Sequence, residues 1–368
     1  MKIIDFILKK KAQPDFQQFI EVVTKKRKPV KVHQVELLID QEIIAAISQK
    51  YFLEEMIPLT SQTQSRYIRQ YVNWWYRMGY DYSMIIDIPG IGLEFPSQIR
   101  KTDDTAYLSR GTRNWVEEKK GIIANWEDFE NYPWPDPEDI DLSPYLLAQE
   151  EIPDGMKLLV AGSSGLFEVV TENLLGIENM SYLLYDEPDL VEAVFEKVGN
   201  IMYRFYLRLS DLEGIGGFFQ GDDMGFKTST LLSPALLKKY VLPWHKKVCD
   251  LAHLKGKTYF LHSCGHLKPI MDDLINWVGI DAFHSFQEEV MSVVDFKQEY
   301  GWKIGVLGGV DLDRLVRSNE TELRNYTRSI LENCQKSGGY ALGSGNSITN
   351  YVPINNYLVM LDEGLAFV

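Results

Sequence analysis

Short apolar runs alternate with longer amphipathic stretches along most of this chain. Each run has the length of a buried strand, whereas stretches such as 189–211 and 233–255 repeat apolar residues at helical spacing. Eight runs are predicted as strands: Pro29–Val32, Met84–Ile86, Leu158–Ala161, Gly217–Gln220, Thr258–Leu261, Ala282–Ser285, Ile304–Leu307 and Tyr340–Leu342. This alternation predicts an α/β fold, a (β/α)8 TIM barrel formed by a single domain over residues 1–368.

Residues 94–139 interrupt the alternation, because they are charged, rich in turn residues and contain several Trp and Pro residues. We interpret them as a hairpin-rich insertion after the second strand, followed by a proline-rich crossing segment. Insertions of this kind lie over the mouth of barrel enzymes. A surface decoration or a dimer contact explains the same composition equally well.

The composition limits the possible partners and location. The 368 residues carry a formal net charge of −14, which argues against nucleic acid and against an anionic membrane, since both attract a basic surface. The three cysteines are few and scattered, as is typical of a reducing compartment. No signal-peptide core and no run of membrane-spanning length are visible, so we expect a cytoplasmic protein. The oligomeric state stays open.

The sequence His262-Ser263-Cys264-Gly265 follows the fifth predicted strand and is the most informative motif. Side chains alternate along a strand, so His262 and Cys264 point to the same side, and Gly265 then allows the backbone to turn. An imidazole and a thiolate on one side of a strand end can be two ligands of a zinc ion. The alternative is a hydrogen-bonded buried histidine beside a small apolar cysteine.

Polar side chains follow nearly every other predicted strand. Barrel enzymes carry their chemistry at these strand ends, so the convergence predicts a polar cavity. Each residue alone is also explained as a helix N-cap, Asp87 and Asp311 above all, and one of Asp222 and Asp223 can cap a turn while the other is solvated. The candidates are His33, Ser163, Ser164, Gln287 and Asp311 for substrate binding, and Asp87, Asp222, Asp223 and Asn346 for catalysis.

Longer runs resemble the uroporphyrinogen decarboxylase superfamily, which includes the decarboxylase and zinc-dependent, corrinoid-linked methyltransferases that pass methyl groups to thiols. The resemblance covers most of residues 155–360, more loosely the N-terminal part, and implies the same barrel. The resembling runs are Glu178–Val191, Gly221–Asp223, Leu232–Pro234, Tyr240–Trp244, Leu261–Gly265, Leu307–Asp311 and Gly339–Tyr357.

The resemblance to the decarboxylase itself breaks down at its substrate site. That enzyme holds acidic side chains of its substrate with an N-terminal arginine motif, whereas residues 28–34 of this chain contain no arginine. Glu172 and Asn346 stand where the decarboxylase has a tyrosine and a histidine. The resemblance therefore implies a site poorly suited to a highly carboxylated substrate.

The methyltransferases resemble the chain better, because they use a His-x-Cys pair for zinc that His262 and Cys264 match. They also supply a cysteine after the last strand, which this chain lacks. We expect Glu288 to complete the metal site. The other available donors are Asp222, Asp223 and His284.

The first functional hypothesis is a zinc-dependent methyltransferase that moves a methyl group between a corrinoid partner protein and a thiol or another small substrate. Asp87, Glu172 and Asn346 would position that substrate. The second is a tetrapyrrole decarboxylase of porphyrin biosynthesis. A hypothesis of another class is a non-catalytic barrel that binds a ligand.

Overall fold

A parallel sheet forms the centre of the molecule in the computed structural model, which describes residues 12–86, 88–116 and 121–367. The strands are β1 (Tyr82–Ile85), β2 (Ile99–Asp103), β3 (Thr112–Val116), β4 (Lys157–Val160), β5 (Ile215–Gly221), β6 (Thr258–His262), β7 (Ala282–His284), β8 (Gly305–Leu307) and β9 (Tyr340–Ala341). Seven of them pair in parallel as one curled sheet in the order β1-β4-β5-β6-β7-β8-β9, and β2 and β3 pair as an antiparallel hairpin.

Helices connect successive strands of the sheet and cover it. Those of the described part are α1 (Phe16–Val23), α2 (Gln41–Ile47), α3 (Gln64–Arg77), α4 (Trp126–Asn131), α5 (Ser143–Glu151), α6 (Leu166–Glu168), α7 (Ile177–Asp186), α8 (Pro188–Ser210), α9 (Pro234–Tyr240), α10 (Leu242–Leu254), α11 (Lys268–Asp273), α12 (Val293–Glu299), α13 (Leu312–Arg317), α14 (Glu320–Cys334) and α15 (Ile354–Ala366). Single π-helical turns lie at Ser48–Phe52, Val169–Leu174 and Leu274–Val278, and a 3-10 turn at Pro137–Asp139.

The strands are apolar because both of their faces are covered, as parallel sheets require. Every residue of β1 and β6 is buried. The long helix α8 buries Leu190, Val194 and Leu209 among other residues, at the spacing that places them on one face. This packing fixes the strand ends, and with them the loops that carry polar side chains.

Seven of the eight predicted strands are confirmed, but the first, Pro29–Val32, is not a strand. Pro29 has no backbone N–H to give to a ladder, so pairing starts further along the chain. The Val35 N–H donates to the Leu342 carbonyl at 2.8 Å, and the Leu342 N–H donates to the His33 carbonyl at 2.8 Å. A local bridge beside the end of β9 thus takes the place of the missing first strand. The described sheet therefore has seven strands instead of the eight predicted.

The hairpin β2–β3 lies within the expected insertion after β1. Its connecting loop contacts the segment that follows β9, because the Asn350 side chain donates to Asp104 at 2.7 Å and the Leu108 N–H donates to the Asn350 carbonyl at 2.9 Å. Arg110 of the same loop pairs with Asp40, which precedes α2. That the whole insertion covers the mouth remains a prediction. Within the described ranges, no helix has both the length and the apolar character needed to cross a membrane.

Candidate metal centre

Three side chains at two neighbouring strand ends form a cluster of metal-ligand type. One donor atom each from Asp223, His262 and Cys264 lies within 4.8 Å of the other two. The Nε2 atom of His262 is 3.4 Å from the Sγ atom of Cys264 and 3.5 Å from Oδ1 of Asp223. Ligands held tetrahedrally at the usual zinc bond lengths would be about 3.3–3.6 Å apart, so these spacings fit a metal ion.

The register of β5 and β6 brings the three ligands together. Gly221 pairs with His262 in the parallel ladder, which places Asp223 beside the residues that follow β6. The two loops then touch at their glycines, because the Gly225 N–H donates to the Cys264 carbonyl at 3.1 Å. Gly265 has φ +86°, and a Cβ atom there would lie 2.3 Å from the Gly225 backbone. A side chain at Gly265 would therefore separate the loops that hold the cluster.

His284 fixes the protonation of His262. The Nε2 atom of His284 is 3.0 Å from the Ser344 carbonyl, which can only accept, so this nitrogen carries a proton. Burial lowers the pKa of His284 to about 3, so the ring is neutral and its Nδ1 atom has a lone pair. The Nδ1 atom of His262 lies 2.7 Å away and must donate to that lone pair.

His262 consequently presents an unprotonated Nε2 atom to Cys264 and Asp223, since burial also lowers its own pKa and keeps the ring neutral. A nitrogen lone pair 3.5 Å from a carboxylate oxygen is repelled unless a cation lies between them. In metal-bound histidines, the N–H group of the second ring nitrogen commonly donates a hydrogen bond to a neighbouring acceptor. The donor set and its hydrogen bonds therefore fit a divalent metal.

Cys264 is surrounded by polar groups that can stabilise a thiolate. The Asn346 side-chain amide donates to Sγ at 3.2 Å, and the Ser285 hydroxyl lies 3.6 Å away. The Cys264 N–H donates to Asp223 Oδ1 at 2.7 Å, which orients that carboxylate. Burial, and then the negative charge of Asp223, raise the pKa of the free Cys264 thiol, whereas the positive charge of a metal would lower it.

A cavity of about 330 Å³ adjoins the cluster at His262 and Asp223. Its size matches the lower end of small-molecule sites. Burial, then the charge of Asp223, raises the pKa of Glu168, whose Oε2 atom accepts the Gly165 N–H at 3.0 Å. The apolar part of the lining consists of Leu37, Leu38, Ile86, Ile88, Pro89, Ile91 and Leu93. The polar part consists of Glu94, Ser163, Ser164, Glu168, Asp223 and His262.

The two adjacent aspartates have different environments. Asp222 is fully buried and accepts hydrogen bonds from the Phe167 and Glu168 backbone N–H groups, both at 3.1 Å. His245 adds a third contact, with its Nε2 atom 2.8 Å from the carboxylate. Asp222 thus holds the start of α6 and does not border the cavity, while Asp223 is the member of the pair that meets the metal cluster.

Ser163 and Ser164 lie on the cavity wall, and Asn346 contacts Cys264. Glu172 does not border the cavity, although its charge contributes to the raised pKa of Glu168. Asp87 lies outside the described residues.

Other predicted site residues lie apart from the cluster. The His33 Nδ1 atom is 2.6 Å from Asp81, which precedes β1. Asp311 caps α13, because its carboxylate accepts the Arg314 N–H at 3.1 Å. Gln287 is exposed.

Glu288, predicted as the third metal ligand, accepts a hydrogen bond from the Tyr326 hydroxyl at 2.7 Å and is not a member of the cluster. The reason is the direction of the chain after β7, which carries Glu288 outward to an exposed position. Asp223 is the third member of the candidate cluster instead.

Two functional candidates, Glu94 and Glu168 on the cavity wall, were not identified in the sequence analysis. The sequence offers His284 only as a possible metal donor, whereas in the structure it lies behind His262 as a positioning residue. Glu168 stands three residues after Gly165, where a carboxylate is expected merely to cap a helix. The only sequence signal for His284 is its place at the end of the strand next to β6.

The curled parallel sheet, with its candidate centre at the strand ends, defines the class of α/β proteins that build sites from strand-end loops. Residues 117–364 match the family model of uroporphyrinogen decarboxylase (URO-D), so the chain belongs to this family. No curated protein sequence matches the chain.

Two solved structures show how the fold is related. A methyltransferase from Methanosarcina mazei superposes with a TM-score of 0.70 at 13% identity, covering 96% of this chain and 99% of that protein. A B12-independent methionine synthase from a Shewanella species resembles it more distantly, with a TM-score of 0.48 at 11% identity, covering 92% of this chain and 94% of that protein. At these identities the likeness concerns the fold.

Proposed function

We propose that this protein is a zinc-dependent methyltransferase that moves a methyl group from a corrinoid partner protein to a thiol or another small substrate. The observation that carries the proposal is the cluster of Asp223, His262 and Cys264, with the His262 lone pair directed into it. The methyltransferase from Methanosarcina mazei, which shares the fold, supports the same reaction class.

The cluster has three protein ligands, which leaves a fourth position for a substrate atom, as in catalytic zinc sites. A bound zinc ion would lower the pKa of an acceptor thiol and hold it as a nucleophile at neutral pH. Asp223 and Cys264 provide two negative charges for the ion, while Asn346 donates a hydrogen bond to Cys264 and moderates its charge. The cavity wall next to His262 would orient the rest of the substrate.

Decarboxylation of a tetrapyrrole is the second candidate, because the family carries the decarboxylase name. The described lining of the cavity contains carboxyl groups and neither lysine nor arginine, so a highly carboxylated substrate would be repelled. We expect no efficient turnover of uroporphyrinogen in an anaerobic assay with chromatography of the products. Efficient turnover would reverse the order of the two candidates.

The proposal is tested by zinc titration followed by a methyl-transfer assay. Wild type should bind one zinc ion and transfer methyl from a methylated corrinoid to a thiol, whereas Cys264→Ser and Asp223→Asn should lose both properties. Glu288→Gln is the matched control, because Glu288 lies outside the cluster and should retain zinc. Equal zinc binding by wild type and Cys264→Ser would refute the proposed site. A ligand-binding barrel without catalysis would bind small molecules but transfer no methyl group.

A further inference from the structure

The cavity beside the metal cluster is acidic. Glu94 lies exposed at its edge and Glu168 is half-buried in its wall, and with Asp223 they place three carboxyl groups on one small volume. No lysine or arginine is present among the described lining residues. The cavity therefore favours a cationic ligand and repels an anionic one.

Two basic residues in loops of the described chain are paired with other carboxylates. Arg110 bonds to Asp40 and Glu42, at 3.0 and 2.9 Å, and Lys227 pairs with Glu289 at 2.8 Å. Neither of these basic residues borders the cavity. The carboxyl groups of the lining thus have no counter-charge from the described residues. A metal ion would offset Asp223, which leaves Glu94 as a negative charge and the Glu168 carboxyl group as a hydrogen-bond acceptor.

The rest of the lining limits the ligand to a small molecule with an apolar part. The volume of about 330 Å³ and the wall formed by residues 37–38 and 86–93 suit a short hydrocarbon chain. The Ser163 hydroxyl donates to the Ser164 carbonyl at 2.8 Å, so its oxygen can still accept a hydrogen bond from a ligand. The wall therefore offers hydrogen-bond acceptors to a ligand that carries hydrogen-bond donors.

We propose that the methyl acceptor is a small aminothiol, with its sulfur at the metal cluster and its ammonium group against the Glu94 carboxylate, where it also donates a hydrogen bond to the Glu168 carboxyl group. The inference rests on the proposed function. In the reaction, the thiol loses its proton to the solvent and its sulfur forms a bond to the methyl carbon. The bond from that carbon to the corrinoid cobalt breaks and leaves its electron pair on cobalt, which is reduced from Co(III) to Co(I). The product is a methyl thioether that keeps the positive charge of its ammonium group.

Three thiols that differ only in their head group test the inference: cysteamine, 2-mercaptoethanol and 2-mercaptoethanesulfonate. Each is titrated into the cobalt(II)-loaded protein at low ionic strength, and the sulfur-to-cobalt charge-transfer band reports binding. We expect cysteamine to bind at least tenfold more tightly than the sulfonate, with mercaptoethanol between them. Glu94→Gln should reduce this difference, whereas Glu289→Gln, which changes an exposed carboxylate outside the cavity, should preserve it.

Equal or tighter binding of the sulfonate would overturn the inference while leaving the metal-dependent function intact. A second measurement needs neither metal nor thiol: ethanolamine should bind the metal-free protein in a calorimetric or NMR titration, and isethionate should not. Ethanolamine binding without thiol binding would support a site that binds cations and would overturn the proposed function. Absence of ethanolamine binding would overturn the inference.

Discussion

Replacing His284 by leucine tests whether the second histidine orients the metal ligand. His284 is fully buried and accepts the Nδ1 proton of His262 at 2.7 Å. With leucine there, that N–H has no acceptor, which costs about 1–3 kcal/mol for a buried donor, and the ring is free to place its proton on Nε2 instead. Loss of such an outer partner typically lowers metal affinity about 10–100-fold, which is about 1.4–2.7 kcal/mol.

The assay is zinc titration against a competing chelator at neutral pH, with circular dichroism to confirm folding. His284→Gln should keep most of the affinity, because its amide oxygen can accept from His262 while its NH₂ group donates to the Ser344 carbonyl. His253→Leu is the matched control and should keep wild-type zinc affinity. His253 lies on the surface of α10 and pairs with Asp281, outside the cluster. A folded His284→Leu protein with wild-type zinc affinity would refute the reasoning.

Three further predictions have defined outcomes. Asp222→Asn should lower the free energy of unfolding by about 1–3 kcal/mol, because its carboxylate accepts backbone N–H groups, whereas Asp223→Asn should leave stability nearly unchanged and abolish zinc binding. Gly256→Ala should lower the free energy of unfolding by about 1–2 kcal/mol, because the backbone there is left-handed although the space around it is open. Gly265→Ala should lower it clearly more, because its Cβ atom would also collide with the neighbouring backbone. Burial raises the pKa of Glu36 to about 8, so the folded state retains a proton that the unfolded state releases near pH 4.3, and stability should fall as pH rises between these values.

Denaturant titrations check the first two pairs, with zinc binding measured for the aspartate variants. Similar stability losses at Asp222 and Asp223, or equal costs at Gly256 and Gly265, would contradict the assignments. For the third prediction, urea unfolding is measured from pH 4 to 9, and Glu36→Gln should show a weaker decline of stability with pH than wild type. An unchanged pH dependence would mean that Glu36 is ionised in the folded protein.

The sheet was largely predictable because its strands are buried on both faces and therefore form short continuous apolar runs. Thr258–Leu261 illustrates this, since it coincides with β6 to within one residue. The failure at Pro29–Val32 has a physical cause, because apolar composition alone does not reveal that a proline cannot donate to a ladder partner. The pairing found instead begins at His33.

The pair His262 and Cys264 was predictable because the two residues lie close together in sequence, at the end of β6 and just after it. The third ligand depended on how neighbouring strands align, and sequence offers both Asp223 and Glu288 at strand ends. Strand register selects Asp223, and register comes from packing over the whole sheet. The same holds for His284, whose role depends on contacts with His262 across two strands.

The most direct test of the central claim is anomalous diffraction at the zinc edge from crystals of the zinc-loaded protein. We predict one ion, with Asp223 oxygen and His262 Nε2 at about 2.0–2.2 Å and Cys264 Sγ at about 2.3 Å. The fourth position should open toward the cavity lined by Glu94 and Glu168. An ion bound elsewhere, or no ion at this cluster in zinc-loaded crystals, would contradict the account.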